Sequence, residues 1–361
     1  MAGFGRAIVA VAGRLIAWLV RHARIERYLD RRPPVGLPRS LEGSRTRVGV
    51  VQLEARLHHS VLSYVDQVLS AAATAVGEGA QLVVFPEDVG SYPLFGLLPG
   101  LAWLVGRGNP RDAGAAVEQG EAPVLALMRL LTPVVRKVHR VVFAGLAKRL
   151  GVHILAGSTL AVDEAGRVYK EAHLYDTDGR LVLVQRKTHL FPAEAAWGLT
   201  PGSEVDVAHT AVGCVASPVC MDHTYWEPIR IAWLQGAEIV IDPAADANRF
   251  NRGMQARGVW SRVQESPAFG IQAMMVGELL GVTFGGRSGV YAPLELTPHK
   301  DGIIAEASVS DAPDIFCADI DLAEVQELRR QVLRRLQPEL YTTYLPRLGH
   351  EMGEAMTVKR E

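Results

Sequence analysis

The sequence predicts an α/β fold, and three observations carry that expectation. Short runs rich in Val, Ile and Leu alternate with segments whose apolar residues have helical spacing along most of the chain. The 361 residues are 48% hydrophobic and 21% charged, enough to bury a large core without help from disulfides or metals. The three cysteines, Cys214, Cys220 and Cys317, show no CxxC spacing and suit a reducing, cytoplasmic setting. Such a composition excludes disordered, collagenous and multi-span membrane chains.

The elements follow in order. Residues 33–47, PPVGLPRSLEGSRTR, combine three prolines with Gly and Ser and read as a linker. This divides the chain into an N-terminal helix and linker (1–46), a main domain (47–346) and a C-terminal tail (347–361). The main domain opens with strand VGVVQLEA, helix SVLSYVDQVLSAAATAVGEG and strand AQLVVFPED, which ends in a polar turn at Glu87. A long helix over 123–150 precedes strand VHILAGSTLAV. A hairpin then folds about Asp178-Gly179, a pair suited to the positive φ angles of a two-residue turn, and ends at Lys187. VGCVASPVC reads as a buried strand stopping at Cys220, TYWEPIRIAWLQG as a helix, and AEIVIDPAA as the next strand. Strands AMMVGELLG, SGVYAPLEL and DIFCADID, helix LAEVQELRRQVLRRL and a polar tail after Pro338 complete the chain.

Three strand ends carry reactive side chains: Glu87 in VVFPED, Lys187 in QRKTHLFPAE and Cys220 in VCMDHTYWE, 100 and 33 residues apart. Taken singly, a buried Cys is usually an inert small hydrophobe, and a Glu or Lys at a strand end is usually solvated. Cys220 has a better local argument, because a strand-to-helix turn places its sulfur at the positive end of a helix and favours thiolate. The nucleophile still needs a proton acceptor; Glu87 is the candidate, while His189 and His223 flank these segments without forming a Cys-His-Asn pattern.

With these residues in view, the sequence resembles the nitrilase, or carbon-nitrogen hydrolase, superfamily, whose triad is Glu-Lys-Cys in that chain order. The resemblance spans roughly Arg47 to Pro346 and includes GSTL, DTDGRLVLVQRKTHLF, GAEIVIDPAA, FGGRSGVYAP and GIIAEA. It implies a four-layer α-β-β-α sandwich, usually dimerised through helices beside the active site. Carried over, it makes Cys220 the nucleophile, Glu87 the general base and acid, and Lys187 the oxyanion stabiliser, with a thioester intermediate and no metal or cofactor. Glu194, seven residues beyond Lys187, resembles a second active-site acid, though a surface Glu beside a loop proline is an equal reading. Met221 and Tyr225, beside the nucleophile, are candidates for substrate positioning or support, whereas Asp222, Glu227 and Arg230 read as structural. Cys220 is followed by Met221-Asp222 rather than the Trp-Glu of the nitrile-cleaving branch, which favours small-molecule amide substrates. The stretch 96–123 reads as an insertion bordering the pocket.

Charge is uneven: residues 1–47 hold ten Arg against three acids, while the rest holds 28 basic against 36 acidic residues. The basic character therefore belongs to one terminal segment, and no nucleic-acid-binding face is expected. Within residues 1–31, Phe4, Ile8, Val11, Leu15, Trp18, Ile25 and Leu29 form one helical stripe with arginines on other faces, a basic amphipathic helix. Arg14 interrupts the apolar run, which argues against a signal peptide or span. Such a helix can lie on an anionic membrane surface or pack on protein. The uncharged stretch 94–106, LFGLLPGLAWLVG, calls for burial in a core or interface.

The sequence thus points to a cysteine-dependent amidase forming homo-oligomers and peripheral to the inner face of the membrane. An amide-forming N-acyltransferase would share the thioester, and a membrane-associated scaffold with little catalysis is the non-enzymatic alternative.

Overall fold

The computed structural model describes residues 22–32, 43–58, 60–91, 123–279, 281–347 and 349. Among these, the first strands are β1 (Arg45–Glu54), β2 (Leu82–Val84), β3 (His153–Val162), β4 (Val168–Tyr175) and β5 (Leu181–Arg186). They are followed by β6 (Ala208–Thr210), β7 (Gly213–Ala216), β8 (Ile239–Ala244) and β9 (Phe269–Leu279). The last are β10 (Val282–Phe284), β11 (Gly289–Tyr291), β12 (Ile303–Glu306) and β13 (Asp314–Asp321). The helices are α1 (His22–Asp30), α2 (Val61–Gly77), α3 (Pro123–Leu150), α4 (Pro192–Ala196) and α5 (Glu227–Leu234). After them come α6 (Arg252–Gln255), α7 (Val259–Glu265), α8 (Leu322–Leu333) and α9 (Pro338–Thr343).

Pairing sorts the strands into two sheets. One runs β5-β4-β3-β2-β1-β13 and the other β6-β7-β8-β9-β11-β12. They join where the end of β1 pairs parallel with β9, Leu53 opposite Met275 and Glu54 opposite Val276. The two-residue period of a strand then builds the layers. Val48 and Val50 of β1, Leu82 and Val84 of β2, and Leu155 of β3 turn inward to meet Ile239, Ile241, Ile271 and Val290 of the other sheet. Val51, Leu53, Val83 and Ile154, on the opposite face, meet α2 and α3. Beyond the second sheet, Ile229 and Trp233 of α5 and Val259 and Val263 of α7 pack on Val240 and Tyr291. This is the four-layer α-β-β-α sandwich expected from the sequence.

Local chemistry explains the helix that sets the first outer layer. The Ser60 hydroxyl caps α2 by accepting from the Ser63 N–H at 3.1 Å, and its buried face runs Tyr64, Val65, Val68, Leu69, Ala72, Ala75 and Val76. The helix lies so close to β1 that a Cβ on Gly49 would stand 2.6 Å from the Ala75 Cβ.

Several boundaries differ from the sequence reading. Strand β7 stops at Ala216, four residues before Cys220, because Pro218 offers no donor to continue a ladder. Strand β9 starts at Phe269, and SGVYAPLEL holds only the three residues of β11 before Pro293 and a 3₁₀ turn at Leu294–Leu296. The supposed polar tail contains α9.

The structure reaches the last two residues of the amphipathic N-terminal stripe, Ile25 and Leu29. Ile25 and Leu29 of α1 are 2% and 3% exposed and join the core formed with α2 and α3. Leu29 seats against Gly145, and the Tyr28 hydroxyl donates to the Asp66 carboxylate at 2.7 Å, with Arg32 paired to the same carboxylate. These residues pack on protein. Residues 1–21, the insertion 96–122 and the 94–106 stretch lie outside the described residues. Among the described residues no helix is long and apolar enough to cross a membrane.

Candidate active site

Glu87, Lys187, Glu194, Cys220 and Met221 line one cavity of about 740 Å³, together with Asp88, Lys170 and Asp242. Each is delivered by a distinct backbone device.

Glu87 sits in the turn after β2, and that turn is held by an irregularity in β3. Gly157 has φ +54°, and a Cβ there would lie 1.8 Å from the Pro86 carbonyl oxygen, so only glycine permits this approach. The register of β3 shifts between Leu155 and Ser158. Ser158 then accepts from the Asp88 N–H through its hydroxyl at 3.0 Å, and Asp88 is held at φ +60°. Such a conformation persists only where surrounding bonds enforce it.

Lys187 follows β5 and extends its ladder. Its N–H donates to the Lys170 carbonyl at 2.9 Å, and its carbonyl accepts from the Gly202 N–H at 2.8 Å. Since Glu171 pairs with Arg186, Lys170 and Lys187 stand side by side on the next rung. Like charges so placed repel unless anions intervene. Here they do: the Lys187 ammonium lies 2.8 Å from Glu87 Oε1 and 2.9 Å from Glu194 Oε2, and the Lys170 ammonium lies 3.2 Å from Glu87 Oε1 and 2.9 Å from Asp88 Oδ2. Lys170 also pairs with Glu194 Oε1. Glu194 accepts from the Phe191 N–H at 2.8 Å, which fixes it at the start of α4. It is 4% exposed, so the surface reading of Glu194 is wrong.

The charges respond to this crowding. Burial works against the Lys187 ammonium, but Glu87, Cys220 and Glu194 outweigh it and carry its pKa above the ordinary lysine range. Burial likewise pushes Glu194 up, and Lys170 and Lys187 reverse this, bringing it down to about 2. Asp88 goes the other way: burial, with Glu87 and Glu194 nearby, raises it to about 6 despite Lys170.

Cys220 opens a 3₁₀ turn, Cys220–Thr224, with φ +48°. Asp222 ties this turn to the Lys187 strand end. Its buried carboxylate accepts from the N–H groups of Val219 at 2.8 Å, Thr188 at 3.0 Å and His189 at 2.6 Å, and from the Thr188 hydroxyl at 2.8 Å. The helix-terminus argument for a thiolate is corrected. Only one short 3₁₀ turn starts at Cys220, and α5 begins seven residues later. Burial and the Glu87 carboxylate push the thiol pKa well up, against the pull of Lys187. Burial thus favours the thiol over the thiolate, and a thiol used as a nucleophile needs a base.

Neither nearby histidine supplies it. His223 Nε2 faces the Pro218 carbonyl at 2.9 Å, and His189 Nδ1 faces Thr188 and Asp222. Tyr225, expected to help position substrate, does not line the cavity; it is 40% exposed and stacks on His189 with ring centroids 4.1 Å apart. Met221 does line it. Phe250, Met254, Met274, Phe284 and Arg287 also line the cavity and were not anticipated from sequence. Nor were Lys170 and Asp88, although charged residues in the buried hairpin strand VYKEAHLY demand buried partners. Among the described residues no group of three or more His, Cys, Asp or Glu could hold a metal ion.

The family model described as Carbon-nitrogen hydrolase matches residues 47–330. The chain is 26% identical over 291 residues to a probable hydrolase, YhcX, of Bacillus subtilis, covering 79% of this chain but only 51% of that protein. It is 25% identical to a citrullinase of Francisella tularensis over 82% of this chain and 96% of that protein. It is also 25% identical to the omega-amidase NIT2 of Homo sapiens over 54% of this chain and 72% of that protein. In fold it is similar to an amidase from Nesterenkonia sp., with a TM-score of 0.59 and 22% identity over 82% of this chain and 97% of that one. With most of its length matched by the family model, the chain belongs to the carbon-nitrogen hydrolase family.

Proposed function

We propose that the protein hydrolyses a small-molecule amide through a thioester on Cys220. The observation that carries this reading is the convergence of Cys220 with the Glu87–Lys187–Glu194 cluster on one cavity. Glu87 takes the thiol proton as sulfur adds to the amide carbon, which suits a thiol whose pKa is raised. The oxyanion is met by the Lys187 ammonium and by backbone N–H beside Cys220. The tetrahedral adduct collapses to a thioester as Glu87 returns its proton to the departing amine. Water then adds to the thioester with Glu87 again the base, releasing the acid and restoring the thiol. Glu194 holds Lys187, and Met221 shapes the pocket beside the sulfur. The relatives named citrullinase and omega-amidase support an amide substrate.

An amine in place of water would complete acyl transfer by the same thioester. Mass spectrometry of protein quenched during turnover of short aliphatic amides tests the reading: an acyl adduct on Cys220, absent from Cys220→Ala, is expected. Turnover by Cys220→Ala at the wild-type rate would refute it. A second contact, with an anionic membrane surface, is proposed only for residues 1–21, where Arg6, Arg14 and Arg21 accompany Phe4, Ile8, Leu15 and Trp18.

A further inference from the structure

The reaction just proposed uses one lysine, yet two occupy the cavity. Lys170 is 4% exposed, lies beside Lys187 on the adjacent strand, and reaches Glu87, Asp88 and Glu194. It lines the cavity but is not needed as an oxyanion donor. An ammonium buried this completely loses its hydration, and the carboxylates of Glu87, Asp88 and Glu194 compensate it.

We propose that Lys170 is a positioning residue for the reaction, holding Glu87 and Glu194 between two ammonium groups so that Glu87 remains a carboxylate ready to accept the Cys220 proton. This rests on the reading of Glu87 as the base. The geometry assigns different tasks to the two lysines. Lys187 shares Glu87 and Glu194 and acts electrostatically on Cys220. Lys170 shares the same two carboxylates and is drawn to the other side by Asp88, whose backbone is pinned at φ +60° by Ser158. Glu87 is thus held from two directions.

The ionisable groups facing Glu87 are Asp88 from its own turn, Lys170 from β4, Lys187 after β5, Glu194 from α4, Cys220 from the 3₁₀ turn and Asp242 from β8. Removing the Lys170 charge leaves three carboxylates around one ammonium. The cluster then takes up a proton at higher pH, and the proton acceptor for Cys220 is lost there.

The test is the pH dependence of Cys220 alkylation by iodoacetamide, followed by peptide mapping so that Cys214 and Cys317 do not contribute. The sulfur–carbon bond forms as iodide leaves, and the thiol proton passes to Glu87. In wild type the rate should fall on the acid side with a limb abolished by Glu87→Gln. In Lys170→Met and Lys170→Gln that limb should move up by roughly 1 to 2 pH units, the usual effect of an adjacent opposite charge. Lys170→Arg, which keeps the charge, should leave it near wild type. A purely structural lysine would make the bulkier Arg at least as disruptive as Gln and would leave the limb in place. If the limb stays put in the neutral variants, the proposal is wrong while the base assignment stands. If neither neutral variant folds and Lys170→Arg does, Lys170 serves folding and the proposal is equally wrong. A wild-type limb insensitive to Glu87→Gln would instead overturn the base assignment.

Discussion

Lys187 Nζ stands 2.8 Å from Glu87 Oε1, with both residues at most 2% exposed, so an ion pair shielded from water links strand ends 100 residues apart. Desolvation makes such a pair unfavourable unless further hydrogen bonds satisfy it, and Glu194 and Lys170 provide them. Under the proposed function the pair serves chemistry, and its desolvation makes it a weak source of stability.

Breaking it should therefore act on turnover. Lys187→Met should lower kcat by about 10²- to 10³-fold, the range for losing one oxyanion donor, and Glu87→Gln by about 10²- to 10⁴-fold, the range for losing a general base. Single-turnover kinetics with a verified amide would check both. Normal acylation by Glu87→Gln would exclude it as the base.

Asp222 contributes to structure. Asp222→Ala leaves the N–H groups of Val219, Thr188 and His189 without their acceptor, and each unsatisfied buried donor costs about 1 to 3 kcal/mol. Urea denaturation should show a loss of at least about 1 kcal/mol, the low end of that scale for the one fully buried donor, the Val219 N–H. A stability equal to wild type would mean the turn is held by other bonds.

Stability should depend on pH with two opposite contributions. Glu194, brought down to about 2 by Lys170 and Lys187 against its burial, contributes stability complete above its ordinary value of 4.5 and lost as pH falls toward 2. Asp88, raised to about 6 chiefly by burial, contributes stability complete below its ordinary 3.8 and lost as pH rises through 6. Glu194→Gln should flatten the acid arm of the stability profile, and Asp88→Asn should remove a decline between about pH 4 and 6. Unchanged profiles in both variants would contradict the charge assignment.

The N-terminal helix should behave as part of the fold. Leu29→Ala empties a site against Gly145 and should destabilise the protein by about 2 to 5 kcal/mol, as in other buried Leu→Ala changes. A thermal midpoint matching wild type would argue that α1 is dispensable.

Self-association is expected through the exposed face of α5, where Ile231 and Leu234 are 44% and 45% exposed, one turn apart, near exposed Trp226. Sedimentation at micromolar concentration should show at least a dimer, and Ile231→Asp with Leu234→Asp should shift it to monomer. A wild-type protein that is monomeric throughout would set this aside.

What was legible from the sequence was local or carried by motif. An apolar 3.6-residue period marked α2, Asp178-Gly179 marked the hairpin, and the ordered segments around Glu87, Lys187 and Cys220 marked the family. What tertiary structure alone decided is which charges meet. Lys170 looked like any strand lysine until the register set it beside Lys187 and the Gly157 bulge brought Glu87 and Asp88 over both. The Cys220 sulfur likewise reads as a thiolate from its place in the chain, whereas burial and Glu87, 133 positions away, push its pKa up against the pull of Lys187. The same holds for Ile25 and Leu29, whose stripe suits lipid or protein equally: amphipathic periodicity states that a face must be buried, and only the packed neighbours state against what.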